Sequence, residues 1–198
     1  IGVAPVPLVP APARAESCGD PFMNRIQTVY QGIRNFSGRF TQEDRQRDGK
    51  VLQAQGRVAY ERPGRMRWSY EPPNEQLVVT DGRTVWLYDP LLDNVTVPPL
   101  EDVTRGTPLA FLLGVGNLAR DFACRPLTRP APRDKLTWLE LVPKKEIPTL
   151  EFIQIGVTPE SAALEAMRIV DTQGNVREVR LLDLRQGVAE HVGVRCHR

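Results

Sequence analysis

Histidine is scarce in this sequence: there are two copies, His191 and His197, both close to the C-terminal end. Chain ends are usually frayed, so a histidine-based catalytic triad or acid–base pair is not expected there. A metal site built from His191, Cys196 and His197 would have poor ligand geometry. No glycine-rich phosphate loop opens a helix after a strand. We therefore expect no enzyme, no catalytic residue, no metal and no cofactor.

Two further features are missing. No stretch of 18 apolar residues is present, so no membrane-spanning helix is predicted. Charge of one sign does not dominate either, because 26 basic residues are interleaved with 24 acidic ones. A nucleic-acid-binding protein would concentrate positive charge on one face, so no nucleic-acid partner is expected.

The three cysteines, Cys18, Cys124 and Cys196, are too few for a disulfide scaffold. In an exported protein, Cys18 could pair with Cys196 and tie the chain ends together, or it could pair with Cys124. The sequence leaves both pairings open. A lipid-modified cysteine is not expected at Cys18, because Glu16 interrupts the short run of small residues that should precede it.

Residues 1–15 differ in composition from the rest of the chain. They are rich in Ala and Pro, carry one charge at Arg14, and end in Ala13-Arg14-Ala15. A small-x-small ending after an apolar stretch is typical of a signal peptide. We expect a signal-peptide remnant or a disordered extension at 1–15, followed by a single domain over 16–198.

The remaining pattern is one helix followed by many strands. A helix is expected from Asp20-Pro21, with Asp20 as N-cap, because Phe22, Ile26 and Tyr30 recur at helical spacing. Alternation with a period of two then predicts about ten or eleven antiparallel strands. The predicted segments are 36–40, 52–61, 65–70, 77–80, 84–88, 91–97, 121–128, 135–142, 149–156, 162–171 and 175–184.

Residues 107–118 interrupt the strand pattern. Thr107-Pro108 is typical of a helix start, and the helix that follows is apolar on nearly every side. Such a helix has to be covered by other parts of the protein.

Together these elements predict a mainly β protein: a strongly curved antiparallel sheet, or incomplete β-barrel, with an N-terminal helix and a short helical lid. We expect Tyr60, Trp68, Tyr70 and either Trp86 or Tyr88 on its concave face. If the apolar helix is a fixed plug, the interior is an ordinary core, which composition alone favours. If the helix can move, the interior becomes an apolar ligand site.

An ordered series of motifs carries a family resemblance. It begins with Phe40-Thr-Gln42, continues with Gly56 and Arg62-Pro63, then Arg67-Trp68, and ends in Asp81-Gly82 with Trp86 and Tyr88. In this series the chain resembles the periplasmic outer-membrane lipoprotein carriers, the LolA family, over roughly residues 20–187. The segment 189–198 lacks the Phe-x-Phe ending that is common in that family.

The resemblance implies a half-open barrel in the periplasm that binds lipoprotein acyl chains under a lid. Arg62 would latch this lid, roughly 107–116, by donating to its backbone carbonyls. The acyl-chain cavity is expected to be formed by Tyr60, Met66, Trp68, Leu77, Val79, Leu109, Phe111 and Leu112.

The implied partners are lipoproteins, an inner-membrane ABC-type exporter and an outer-membrane lipoprotein acceptor, with the carrier itself a monomer. Three alternatives use the same fold: the anchored acceptor, a carrier of another lipid or glycolipid, and a sensor of mislocalised lipoproteins.

Overall fold

The computed structural model describes residues 19–100, 116–128, 134–187 and 192. Its helices and strands, in chain order, are α1 Asp20–Gly32, β1 Asn35–Arg45, β2 Val51–Glu61, β3 Arg65–Tyr70, β4 Leu77–Asp81, β5 Val85–Asp89, β6 Asn94–Thr96, α2 Leu118–Asp121, β7 Phe122–Arg125, β8 Thr137–Pro143, β9 Leu150–Val157, β10 Leu164–Asp171 and β11 Val176–Gln186.

The strands of the described residues form one antiparallel sheet in the order β6-β5-β4-β3-β2-β1-β11-β10-β9-β8-β7. Within these residues the end strands β6 and β7 do not pair, so the sheet is not closed. The predicted fold class, a mainly β protein with an incompletely closed sheet and an N-terminal helix, is confirmed. Helix α1 begins at Asp20 with Gly19 as its N-cap, one residue earlier than predicted.

The register sorts side chains onto two faces, because directly paired residues point to the same side of a sheet. One row runs Phe36, Tyr60, Met66, Thr80 and Val85. We call this side the inner face, because the apolar residues of this row share a buried cluster with one side of α1.

On the other half of the sheet the inner face is aliphatic. The buried residues there are Leu181 and Val179 on β11, Ile153 and Ile155 on β9, and Leu139 and Leu141 on β8. Helix α1 contributes Phe22, Met23, Ile26, Tyr30 and Ile33 to the same cluster. Burying an apolar side chain of this size stabilises the fold by about 1.5–3 kcal/mol, so α1 is held mainly by its apolar side.

The outer face of β8–β10 carries a buried polar group. Glu140 is fully buried and accepts hydrogen bonds from the backbone N–H of Thr128 (3.0 Å), from Gln154 Nε2 (2.8 Å) and from Arg125 Nε (2.6 Å). Burial alone would raise the pKa of Glu140, but these hydrogen bonds outweigh it and hold the pKa below its usual value. The buried carboxylate of Glu140 is therefore stabilised by these donors, and its bond to Thr128 holds residues 126–128 against the sheet.

The cysteine pairing is narrowed by the structure. Cys124 is disulfide-bonded, and its partner lies outside the described residues. Because the chain has three cysteines, this excludes the pairing of Cys18 with Cys196.

A glycine on β2 sets the packing of the inner face. Gly56 pairs with Phe40 on one side and Tyr70 on the other. A Cβ atom at Gly56 would overlap the carbonyl oxygen of Ser69 and lie 2.8 Å from the Phe40 ring. The Phe40 ring can therefore lie against the backbone of β2 only because residue 56 has no side chain.

We expect Gly56→Ala to lower the free energy of unfolding by about 1–3 kcal/mol, since overpacking forces the backbone or the Phe40 ring to move. Gly32→Ala is the matched control: nothing lies within 4 Å of its Cβ position at the end of α1, so stability should change by less than about 1 kcal/mol. Urea unfolding of both variants measures this. Equal stability of Gly56→Ala and the parent would contradict the packing described here.

Candidate functional site

The inner face of β1–β5 is an apolar, aromatic surface. Besides the Phe36–Val85 row, a second row runs Val58, Trp68, Val78 and Leu87 from β2 to β5, and a third joins Phe40, Gly56 and Tyr70. We call the apolar members of these rows the inner wall: Phe36, Phe40, Val58, Tyr60, Met66, Trp68, Tyr70, Val78, Val85 and Leu87.

Ring contacts hold the wall in place. The Phe40 ring lies 4.4 Å from the Trp68 ring and 5.0 Å from the Tyr70 ring, edge-on to the latter. The rings of Phe36 and Tyr60 lie 5.2 Å apart. Aromatic pairs at these separations stabilise a core beyond their buried area alone. These contacts position the rings of the wall against one another without any ligand.

The wall is not fully covered. Phe36, Tyr60, Met66 and Val85 are buried, and this row lies at the strand ends next to the C-terminal end of α1. Trp68, Tyr70, Val78 and Leu87 are only partly buried, although they are apolar and face inward. Inward-facing apolar surface that remains partly exposed, as it does here among the described residues, is typical of a binding site for apolar ligands.

Three of the residues expected in the cavity, Tyr60, Met66 and Trp68, lie together on the inner wall. Leu77 and Val79 do not. Leu77 pairs with Ser69 and Tyr88, and Val79 pairs with Arg67 and Trp86, which places both on the outer face.

The expectation that Leu77 and Val79 face the hollow is therefore wrong, and so is the concave placement of Trp86 or Tyr88. The reason is that Leu77-Val78-Val79 is apolar at every position, so alternation cannot show which of these residues face inward. The pairing of Val78 with Trp68 shows that Val78 does. Val78 and Leu87 take the inward positions, and their partnership with Trp68 could have been inferred only from a correct hairpin register.

The remaining predicted cavity residues, Leu109, Phe111 and Leu112, lie outside the described residues, as does the lid at 107–116 apart from Gly116. Their roles stay predictions. Within the described residues, α1 packs against the inner face together with Leu118 of α2. The sequence predicts α1 but does not assign it to the site.

Arg62 lies in the turn between β2 and β3 and holds the C-terminal end of α1. Its Nη2 donates to the carbonyl oxygen of Tyr30 at 2.7 Å, and its Nε donates to that of Ile33 at 3.1 Å. A guanidinium suits this position because the last carbonyls of a helix lack intrahelical donors and carry partial negative charge. The expected contact with residues 107–116 lies outside the described residues; the carbonyls that Arg62 is seen to bind belong to the end of α1.

Three further side chains locate α1 on the rest of the protein. The Tyr30 hydroxyl accepts a hydrogen bond from the backbone N–H of Leu164 at 2.9 Å, and burial raises the pKa of this hydroxyl above its usual value. Gln27 Oε1 accepts from the backbone N–H of Leu118 at 3.0 Å. Near the start of the helix, exposed Arg25 donates to the carbonyl oxygen of Glu160. The polar attachment of the helix is therefore spread over single side chains along its length.

A polar cleft lies at the opposite end of the inner face, between the β1–β2 and β10–β11 hairpins. Its volume is about 430 Å³, and Asp44, Leu52, Ile169 and Arg177 form part of its lining. Arg177 Nε donates to Asp44 Oδ1 at 2.7 Å. The inner face thus changes from apolar in the middle to charged at this end.

None of the helices in the described part of the chain has the length and apolar character that a membrane span requires.

Replacing Arg62 with Leu should free the end of α1. Both bonds use a charged donor, so their loss should speed hydrogen exchange of the backbone amides in the last turn of α1 about ten-fold or more. Arg65→Leu is the matched control at the start of β3, next to the same turn, because exposed Arg65 bonds Glu61, an ion pair worth about 0–1 kcal/mol. Unchanged exchange in the Arg62 variant would remove Arg62 as the anchor of α1.

Comparisons with known proteins agree with this geometry. Residues 31–191 match the family model described as outer membrane lipoprotein carrier protein LolA. The outer-membrane lipoprotein carrier protein of Cupriavidus pinatubonensis is 33% identical over 156 residues, which are 77% of this chain and 71% of that protein.

The Bordetella pertussis protein of the same name is 32% identical over 181 residues, 91% of this chain and 82% of its own. An uncharacterized conserved protein from Thermus thermophilus shares the fold with a TM-score of 0.52 and 11% identity, covering 86% of this chain and 88% of its own. The chain belongs to the LolA family of outer-membrane lipoprotein carrier proteins.

Proposed function

We propose that this protein acts in the periplasm, where it binds the acyl chains of lipoproteins against the inner wall. It takes them from an inner-membrane ABC-type exporter and passes them to an outer-membrane acceptor. The observation that carries the proposal is the partly uncovered apolar wall of Trp68, Tyr70, Val78 and Leu87 inside an unclosed sheet. Membership of the LolA family supports lipoproteins as the ligands.

The energetics of acyl transfer support a carrier of this kind. Each methylene buried from water contributes about 0.8 kcal/mol, so an acylated protein does not leave a membrane for water by itself. Transfer from one apolar hollow to another nearly cancels this term. A small difference in affinity between two hollows then suffices to set the direction of transfer.

Release of lipoproteins from spheroplasts tests the proposal. Purified protein is incubated with spheroplasts that hold radiolabelled lipoproteins, and the supernatant is assayed for a soluble complex of the two. We expect the complex to form, because the inner wall replaces the membrane around the acyl chains. No release by a folded protein would sink the carrier function.

Two neighbouring residues on β4 provide the matched variants for this assay. Val78→Glu places a charge on the inner wall and should abolish release, because a buried charge without a partner is costly. Leu77→Glu changes the adjacent residue on the outer face and should leave release intact. Equal release by both variants would contradict binding at the inner wall.

We further propose that the Arg62 bonds to α1 control handover. In a two-step assay, the Arg62→Leu variant should still take up lipoprotein from spheroplasts, because the inner wall is unchanged. It should deliver several-fold less to the outer-membrane acceptor, because the two Arg62 bonds no longer favour return of α1 to its covering position. Equal delivery by this variant and the parent would leave Arg62 with a structural role alone.

A further inference from the structure

Two hydrogen-bond donors on the inner wall have no partner. Tyr60 is 2% exposed, and its hydroxyl is buried without a hydrogen bond; the indole Nε1 of Trp68 is buried in the same way. Both statements hold for the residues that the structure describes. Tyr60 and Trp68 lie on the neighbouring strands β2 and β3, diagonal to each other, since Trp68 pairs with Val58.

The groups around these donors do not satisfy them. Burial raises the pKa of the Tyr60 hydroxyl, while the charge of Arg62 and the backbone amide of Gly64 lower it. An amide can only donate to that oxygen, so the hydroxyl proton still lacks an acceptor. The indole N–H of Trp68 acts as a weak donor to the Tyr70 hydroxyl and lowers its pKa, but the contact does not meet hydrogen-bond geometry, so Nε1 lacks a full acceptor.

The fold satisfies its other inward-facing tyrosines. The Tyr30 hydroxyl bonds the backbone of Leu164, and the Tyr70 hydroxyl donates to Gln42 Oε1 at 2.9 Å. Tyr60 is therefore an exception, and a phenylalanine would pack at its position without burying a hydroxyl that has lost its water. A buried donor of this kind, on a wall that is otherwise apolar, indicates a ligand that brings its own acceptor.

The missing acceptor has to be neutral and has to sit among apolar groups. An ester carbonyl at the head of an acyl chain meets both conditions, whereas a carboxylate would bring a costly buried charge. We propose that Tyr60 Oη and Trp68 Nε1 donate hydrogen bonds to ester carbonyl oxygens of bound acyl chains. The site would then recognise diacylglyceryl esters rather than hydrocarbon alone. This inference rests on the proposed function, that acyl chains occupy the inner wall.

A pair of synthetic probes separates the carbonyl from the hydrocarbon. One is a lipopeptide with an S-(2,3-diacyloxypropyl)cysteine, and the other is its S-(2,3-dialkyloxypropyl) ether analogue with chains of the same length. Dissociation constants are measured for the parent protein and for three variants: Tyr60→Phe, Trp68→Phe and Tyr88→Phe. Tyr88→Phe is the control, because it removes a hydroxyl from an exposed residue of the outer face.

We expect the parent to bind the ester probe more tightly than the ether probe, and Tyr60→Phe to weaken ester binding roughly five-fold while leaving ether binding unchanged. Trp68→Phe should weaken both but reduce the ratio, and Tyr88→Phe should change neither. Thermal unfolding should find Tyr60→Phe at least as stable as the parent. Equal affinity of the parent for both probes, or an equal effect of Tyr60→Phe on both, would overturn this inference alone. Failure of the parent to bind either probe would overturn the proposed function with it.

Discussion

An antiparallel sheet that does not close leaves the apolar side of its strands to be covered by something else. In a closed small barrel the inward side chains fill one another's space, and no further element is required. Here β6 and β7 end the sheet without pairing within the described residues, so the inner face depends on α1 and on whatever else reaches it. The contacts that hold α1 on the inner face meet this requirement.

The cover that the structure describes is attached in a way that allows exchange. The apolar side of α1 supplies most of its binding, and acyl chains would offer the wall the same kind of contact. Polar bonds add to this: Arg62 makes two, and Tyr30 and Gln27 bond the backbone N–H groups of Leu164 and Leu118. Under the proposed function, helix and ligand would compete for one surface, and the polar bonds would bias this competition toward the helix. A latch of this strength can be opened by a ligand that buries only a few methylenes.

The packing of the wall and the proposed exchange of its cover depend on different contacts. The wall is fixed by strand pairing, by the ring contacts of Phe40 and by the absence of a side chain at Gly56. A preorganised wall loses little conformational freedom when a chain binds. The unpaired donors of Tyr60 and Trp68 would let this surface select ligands by their hydrogen-bond acceptors as well as by their hydrophobicity.

The strands and the mainly β fold could be predicted from the sequence, because period-two alternation and turn residues such as Asp81-Gly82 locate strands well. The inward placement of Tyr60, Met66 and Trp68 follows from clear alternation with arginine and glutamine. The prediction that Leu77 and Val79 face inward is wrong, because three successive apolar residues show no alternation from which the two faces of the strand could be told apart. The partner of Arg62 on α1 could not be predicted either, since a contact across 32 positions of chain leaves no local pattern.

We propose that acyl chains bind on the inner side of the unclosed sheet, and photolabelling tests this. A lipopeptide with a diazirine at the end of its acyl chain is bound and irradiated, and its attachment sites are mapped by peptide mass spectrometry. The labels should fall on inner-wall residues such as Trp68, Val78 and Leu87. Labels concentrated on Leu77, Trp86 or Tyr88 of the outer face would contradict this proposal.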